Sequence, residues 1–334
     1  ARTMSHTVET ASKLPFASRR RRLTLPTRHQ SISELNRRRI IVLALNVITY
    51  ADLLAAAAQL MGAGGWTLVD GIMFVCFALG TPWAILGFWN AVIGLWLLHG
   101  HSSSMHAVAP FARAADQEAP LYVKTAVLMT LRNEDPERAI ARLKTVQRSL
   151  EKTGQSDAYS YFVLSDTNDP LIAEREEQLV RDWRAASPAR AHIVYRRRTD
   201  NTGFKAGNVR DFCERWGAEF DLMLPLDADS LMSGEAIVKM TRMMQAHPRL
   251  GILQSLVVGM PSSSAFARIF QFGMRHGMRS YTMGQAWWVA DCGPFWGHNA
   301  LVRVRPFMVH CELPQLPGKP PLGGPILSHD QVEA

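Results

Sequence analysis

The chain has 334 residues, 47% of them hydrophobic and 20% charged, a balance that excludes intrinsic disorder because so apolar a chain can bury enough surface to offset its ordering entropy. Its four cysteines (Cys76, Cys213, Cys292, Cys311) form no CxxC, which excludes a disulfide-stapled secreted scaffold and points to reduced thiols in a cytosolic or membrane setting. The net charge of +8 belongs to the N-terminal arm: residues 1–39 carry ten Arg and Lys against two Glu, whereas residues 40–334 hold 27 of each sign.

From Ile40 to Leu98 there is no Lys or Arg, and the acids are Asp52 and Asp70. The run Ile40–Met61 predicts a helix of about 33 Å, enough to span a bilayer core of about 30 Å. Gly62–Asp70 is glycine-rich and reads as a turn. Gly71–Leu98 is a second span, with Pro82 as a tolerated kink and Trp83, Trp89 and Trp96 available near the interfaces. Neither run keeps the polar face of a helix in a soluble domain, and the first lies too far along the chain, and is too long, for a signal peptide. The basic arm lacks the interleaved aromatics of a nucleic-acid patch, which argues against a nucleic-acid partner. Its arginines follow the positive-inside pattern instead, placing both chain ends on the cytoplasmic side of a bilayer. His99, His101 and His106 have no Cys or acidic neighbour, so residues 99–123 read as a juxtamembrane linker and not a metal site.

From Lys124 onward strands and helices alternate. Thr125–Thr130, Tyr159–Ser165, His192–Tyr195 and Asp221–Leu226 predict strands, short and apolar enough to be buried on both faces. Between them Pro136 opens a helix whose Ile140, Leu143, Val146 and Leu150 share one face, a second helix runs to about Ala186, and Gly207–Trp216 is a third. This order means an α/β domain with a largely parallel sheet, which binds ligands at the carboxyl ends of its strands. The polar clusters fall there: Arg132-Asn133-Glu134-Asp135 after the first strand, Asp166 after the second, Asp227-Ala228-Asp229 after the fourth. A Walker A loop, a GxSxG elbow and an HExxH are all absent, which removes support for NTPase, serine-hydrolase and zincin chemistry. Two carboxylates two residues apart can hold a hard divalent cation, which in turn neutralises a diphosphate. Arg196, Arg197 and Arg198 are expected to form a solvated or phosphate-facing run, and Trp287, Trp288 and Trp296 to be candidate sugar-stacking platforms.

Asn133-Glu134, Asp166, Lys205-Ala206-Gly207-Asn208, Asp227-Ala228-Asp229 and Ser328-His329-Asp330, in that order, resemble the processive family 2 glycosyltransferases of the cellulose and hyaluronan synthase type. RNEDPER (132–138), VLSDTNDP (163–170), GNVRDFCERWG (207–217), LDADS (226–230), WGHNALVRVRPF (296–307) and ILSHDQVEA (326–334) narrow the resemblance to the glucans biosynthesis glucosyltransferase H family. Those are inner-membrane enzymes that make the linear β-1,2-glucan backbone of osmoregulated periplasmic glucans. The resemblance implies a GT-A (nucleotide-diphospho-sugar transferase, Rossmann-like) domain over 124–334, preceded by the transmembrane hairpin. It implies UDP-glucose as donor, Mg²⁺ or Mn²⁺ as cofactor, a growing glucan as acceptor, and periplasmic glucan-processing proteins as partners. Asp166 would lie at the uracil and ribose, Lys205 at the nucleotide, Asp227 on the sugar diphosphate and, with Asp229, at the metal. Asn133, Glu134, Trp296, His298 and Asn299 would contact substrate, and Asp330 would be the general base.

Family members continue past this point with an arginine- and tryptophan-bearing motif and further membrane helices, so the glycosyltransferase domain is expected to be truncated at its C-terminal end and to lack turnover alone. Ser328 is expected to open a helix there, with Gln331 as its capping-box partner. Two alternatives stand beside the glucan enzyme. One is another processive family 2 synthase, cellulose- or hyaluronan-like; GHNA (297–300) and the Ser-His-Asp form of the base argue against it. The other is a non-catalytic nucleotide-sugar-binding scaffold, which loss of Asp227, Asp229 or Asp330 would have favoured, and none is lost.

Overall fold

The structure, a computed structural model, describes residues 32–100, 104–188, 191–319, 323–326 and 329–333. Two long helices come first, α1 (Ile32–Gly62) and α2 (Leu68–Gly100), each apolar and long enough to cross a membrane. They contain the two expected runs; α1 begins further upstream and takes in Arg37, Arg38 and Arg39. Side chains such as Leu79 and Trp83 point outward, about four-fifths exposed at 80% and 78%. Polar links join the pair: Tyr50 Oη donates to the Ala78 carbonyl (2.9 Å) and Trp89 Nε1 to Thr49 Oγ1 (3.0 Å). A short helix α3 (Ser104–Val108) and a 3₁₀ turn (Pro110–Asp116) lead into the sheet domain. His106 Nε2 lies 3.3 Å from Asp116 Oδ2 there, an ion-pair geometry, and His101 is outside the described residues.

The sheet has six strands in the order β3-β2-β1-β4-β6-β5. β1 (Thr125–Leu131), β2 (Tyr159–Ser165), β3 (Ile193–Arg197) and β4 (Leu222–Asp227) are parallel, joined by α4 (Pro136–Glu151), α5 (Pro170–Ala186) and α6 (Phe204–Trp216). The α/β class expected from the sequence is what the chain forms. β1 shows why these runs are strands. Val127, Met129 and Leu131 enter one core with Leu143 of α4, while Ala126 and Leu128 enter the other with Phe162 and Phe212. Both faces are dry, as in parallel sheets generally. The loops after β1 and β2 end alike: Asp135 and Asp169 cap the next helix, and Pro136 and Pro170 take its first position.

β5 (Ile252–Gln254) and β6 (Ala300–Arg303) are antiparallel additions, at three and four residues too short to stand out in the sequence. Because β6 runs against β4, the residues just before it lie beside the carboxyl end of β4, where Asn299 N donates to the Pro225 carbonyl (2.9 Å). Around this edge lie α7 (Gly234–Ala246), α9 (Val304–His310) and the short α10 (Asp330–Glu333).

The remaining helix, α8 (Ala265–Val289), leaves the sheet and packs along α2. At the crossing a Cβ on Gly94 would fall 1.7 Å from the Ser280 carbonyl oxygen, and one on Gly284 1.9 Å from that of Asn90. Such backbone contact needs glycine on both helices, the small-residue packing typical of membrane helices. Trp288 Nε1 donates to Asn90 Oδ1 (2.9 Å), and Trp287 and Trp288 pack against the hairpin. These two tryptophans are therefore interface residues, contrary to the sugar-stacking expectation, because α8 turns its aromatic end toward α1 and α2.

Candidate active site

Asp166 follows β2 and is 6% exposed. A buried carboxylate needs full compensation, and Arg198 supplies it with a two-pronged pair, Nε to Oδ1 and Nη2 to Oδ2, both 2.7 Å. In the amide orientation that satisfies both neighbours, Asn201 donates to Asp166 Oδ2 (2.8 Å) and accepts from Arg132 Nη1 (2.5 Å). Arg196 is buried and pairs with Asp211 (3.0 Å), while the exposed Arg197 donates from Nε to the Thr167 carbonyl (2.8 Å). Burial pushes the Arg196 guanidinium below its usual value, with Asp211 opposing. The expected solvated or phosphate-facing run is thus corrected for Arg196 and Arg198, which pair with Asp211 and Asp166, while Arg197 stays exposed as expected.

Asn133 sits in the left-handed region (φ 53), which asparagine tolerates. Its side chain bridges two loops, donating to Asn168 Oδ1 (2.7 Å) and accepting from the Asn168 and Asp169 amides (3.2 and 3.3 Å). Its own amide donates to Thr167 Oγ1, which donates to the fully buried Glu176 (2.6 Å); Tyr195 Oη donates to the same carboxylate (2.9 Å). Burial raises the Tyr195 phenol well above its usual value, so it stays a donor. Glu134 is exposed beside this network.

At the end of β4, Asp227 Oδ1 meets Lys205 Nζ at 2.5 Å. Lys205 lies in the first turn of α6, and the glycine two residues on is required there: a Cβ on Gly207 would lie 2.0 Å from the Thr202 carbonyl oxygen. The Asp227-Ala228-Asp229 turn is closed by Ser230 N donating to the Asp227 carbonyl (2.9 Å) and pinned by Arg142 Nη1 on the Ala228 carbonyl (2.9 Å). Asp229 is exposed, and among the described residues its carboxylate has no hydrogen bond or ion pair. Asp227 and Asp229 together offer hard oxygen donors on one turn, one neutralised by Lys205 and one open, a set that fits Mg²⁺ or Mn²⁺.

The segment before β6 completes the site. His298 lies with Nε2 3.8 Å from Asp227 Oδ2 and Nδ1 3.4 Å from Ser230 Oγ. Gly297 has φ +71, and a Cβ there would fall 2.0 Å from Asp330 Oδ1, so Asp330 rests directly on this glycine. Asp330 Oδ1 is buried with no hydrogen-bond donor among the described residues. His329 Nδ1 is 3.2 Å away but engages Glu333 Oε2 at 2.9 Å. Burial alone would depress the His329 imidazole, yet the hydrogen bond and charge of Glu333, helped by Asp330, outweigh it and raise its value. Ligating atoms of His329, Asp330 and Glu333 lie within 4.8 Å of one another, and the histidine and Glu333 engage each other as an ion pair. Asn299 is buried at φ 52 with Oδ1 unpartnered, and Trp296 is half-exposed at the rim.

Lys205, Asp227, His298 and Asp330 therefore converge, with Asp229 on the adjacent turn; Asp166, Asn133 and Glu134 lie further along the same sheet edge. Ser328, the expected helix cap, is outside the described residues. Reading the sequence missed Arg198, Arg142, Ser230 and Gln254. The arginine run was the available signal for the first; the others act through partners at least 44 residues away, or through a turn.

No family model matches the chain. It is 37% identical over 297 residues, 89% of its length, to glucans biosynthesis glucosyltransferase H of Vibrio cholerae, and 40% identical over 271 residues, 81% of its length, to that of Shewanella oneidensis. It spans 40% and 36% of those proteins. Among solved structures it matches a mannosyltransferase, PcManGT from Pyrobaculum calidifontis in complex with GDP-Man and Mn²⁺, at 17% identity and a TM-score of 0.33, covering 50% of this chain and 47% of that one. The chain is a relative of glucans biosynthesis glucosyltransferase H, matching about two-fifths of that protein's length.

Proposed function

We propose that the chain is the donor-binding part of a membrane-bound, inverting glucosyltransferase of GT-A fold. It uses UDP-glucose to extend the β-1,2-glucan backbone of osmoregulated periplasmic glucans. The observation that carries this reading is the contact of Asp330 with Gly297, one residue from His298, which lies against Asp227. A base, an acceptor-side segment and a metal-binding turn share one corner of the sheet. Asp227 and Asp229 would hold the divalent cation, whose chemistry is to neutralise the diphosphate. Lys205 adds positive charge on the same side, and the Asp166–Arg198 pair acts as one rigid unit at the uracil and ribose. Asn133 sets the loop from which Glu134 reaches substrate.

Asp330 Oδ1 accepts the proton of the acceptor hydroxyl as that oxygen bonds to the anomeric carbon. The bond to UDP breaks on the opposite face, and UDP leaves with the electron pair. Trp296, His298 and Asn299 orient the acceptor. The apolar hairpin, its arginines on the cytoplasmic side, supports a multi-pass protein of the bacterial inner membrane with the sheet domain in the cytoplasm. Its partners would then be the bilayer, the glucan and periplasmic glucan-processing proteins.

The test is UDP binding by this chain with and without Mn²⁺, with GDP as control. Asp229→Ala should abolish the Mn²⁺-dependent gain in UDP affinity and leave the melting temperature unchanged. Mn²⁺-dependent UDP binding by Asp229→Ala would show the metal assignment to be wrong.

A further inference from the structure

Helix α8 ends without a glycine: Ala290 leaves it at φ 53, ψ −111. Its last carbonyls are capped from α1 instead. Arg38 Nη1 donates to the Trp287 carbonyl (3.1 Å), Arg39 Nε to that of Trp288 (3.2 Å), and Arg39 Nη2 to that of Val289 (3.3 Å). Arg38 is 7% exposed, lies over the Trp287 ring at 5.1 Å, and is paired with Glu34 at 2.5 Å. Cations at a helix C-terminus complement its partial negative charge. A guanidinium also reaches several acceptors in fixed directions, which an ammonium does not.

The segment after α8 carries Trp296, Gly297, His298 and Asn299. Its far end is tied to the sheet: Phe295 is buried, Trp296 N donates to Gln254 Oε1 (3.0 Å), and Asn299 N to the Pro225 carbonyl (2.9 Å). Its near end is tied to the hairpin by the two arginines, across 249 residues of sequence. We propose that Arg38 and Arg39 are positioning residues for the acceptor side: by fixing the end of α8 they set the placement of residues 290–299. The inference rests on reading those residues as the acceptor segment, and it gives the hairpin a role in the site beyond anchorage. If the arginines served topology alone, any cation would do.

The experiment is hydrogen exchange on the whole chain in lipid nanodiscs, comparing the unmodified protein with Arg38→Ala/Arg39→Ala and Arg38→Lys/Arg39→Lys. The double lysine variant keeps the charge needed for insertion, so it decides the matter even where the alanine variant fails to fold. Exchange of the amides of residues 290–299 should be about tenfold faster or more in both variants, with β1 and β2 unchanged and UDP affinity within about twofold of the unmodified chain. Unaltered exchange at 290–299 in the lysine variant would overturn the proposal. Absence of UDP binding by the unmodified chain would instead sink the functional reading and leave the exchange result standing.

Discussion

At the ends of β1, β2 and β3 the polar side chains engage one another. Asp166 has both oxygens on Arg198, Glu176 accepts from Thr167 and Tyr195, and Asn133 bridges two loops. At the end of β4 and ahead of β6 they do not: Asp229 is exposed, and Asp330 Oδ1 and Asn299 Oδ1 are buried without partners. Buried polar atoms are nearly always satisfied, and although others lie elsewhere in the sheet domain, at Arg196, Asn208 and Asp211 among them, Asp330 Oδ1 and Asn299 Oδ1 are acceptors beside the open carboxylate of Asp229. The first side is tied mostly to itself, as the nucleotide scaffold proposed above would be; the second leaves its carboxylates open.

The two sides also differ in how they are held. The first is set by βα loops within one stretch of chain, whereas the segment ahead of β6 follows α8, which packs on the apolar helices α1 and α2. Gly284→Leu is the largest way to break that contrast, because it pushes a side chain into the α2 backbone, where even a Cβ would sit 1.9 Å from the Asn90 carbonyl oxygen. Overpacking of this kind costs about 1–3 kcal/mol or more. The variant should melt at lower temperature and lose protection in α8, yet bind UDP normally. Lost UDP binding together with intact α8 protection would show that the two sides are not separable.

A smaller effect sharpens the acceptor side. Since Glu333 raises the His329 value, the charged pair stabilises the fold fully below the ordinary histidine value of about 6.5, and that contribution is lost as pH rises through the raised one. The melting-temperature gap between the unmodified chain and His329→Gln should therefore be widest near pH 6 and shrink toward about pH 9. A gap constant across that range would leave His329 neutral.

Much of the scaffold side was legible in the sequence. β2 has the bounds expected of it, and the helix start at Pro136 could be placed because a φ-fixed proline acts locally; the start at Asp169-Pro170 carries the same local signal and was not read. Asp227 and Asp229 were visible as an acid pair ending an apolar run. The acceptor side was visible only as motifs. β6 is four residues long, α8 carries the poor helix formers Gly273, Gly277 and Gly284, and Trp287 and Trp288 meet partners on α1 and α2 roughly 200 to 250 residues upstream. Periodicity carries no information about contacts at that separation. The arginine run failed for a related reason: Arg198 looks solvated until the β2 end that supplies Asp166 is placed beside it.

The central claim is that Asp330 takes the acceptor proton beside the metal-binding turn. Because the chain spans about two-fifths of its relatives, the measurement uses a chimera in which residues 1–334 replace the matching part of the Vibrio cholerae protein. Turnover of UDP-glucose by membranes carrying it is compared with that of the Asp330→Asn form. The account predicts a fall of roughly 10²–10⁴-fold, the usual worth of a positioned base, with UDP affinity nearly unchanged. Ordinary turnover with only slightly lowered stability would make Asp330 a helix-terminal acid and contradict the account.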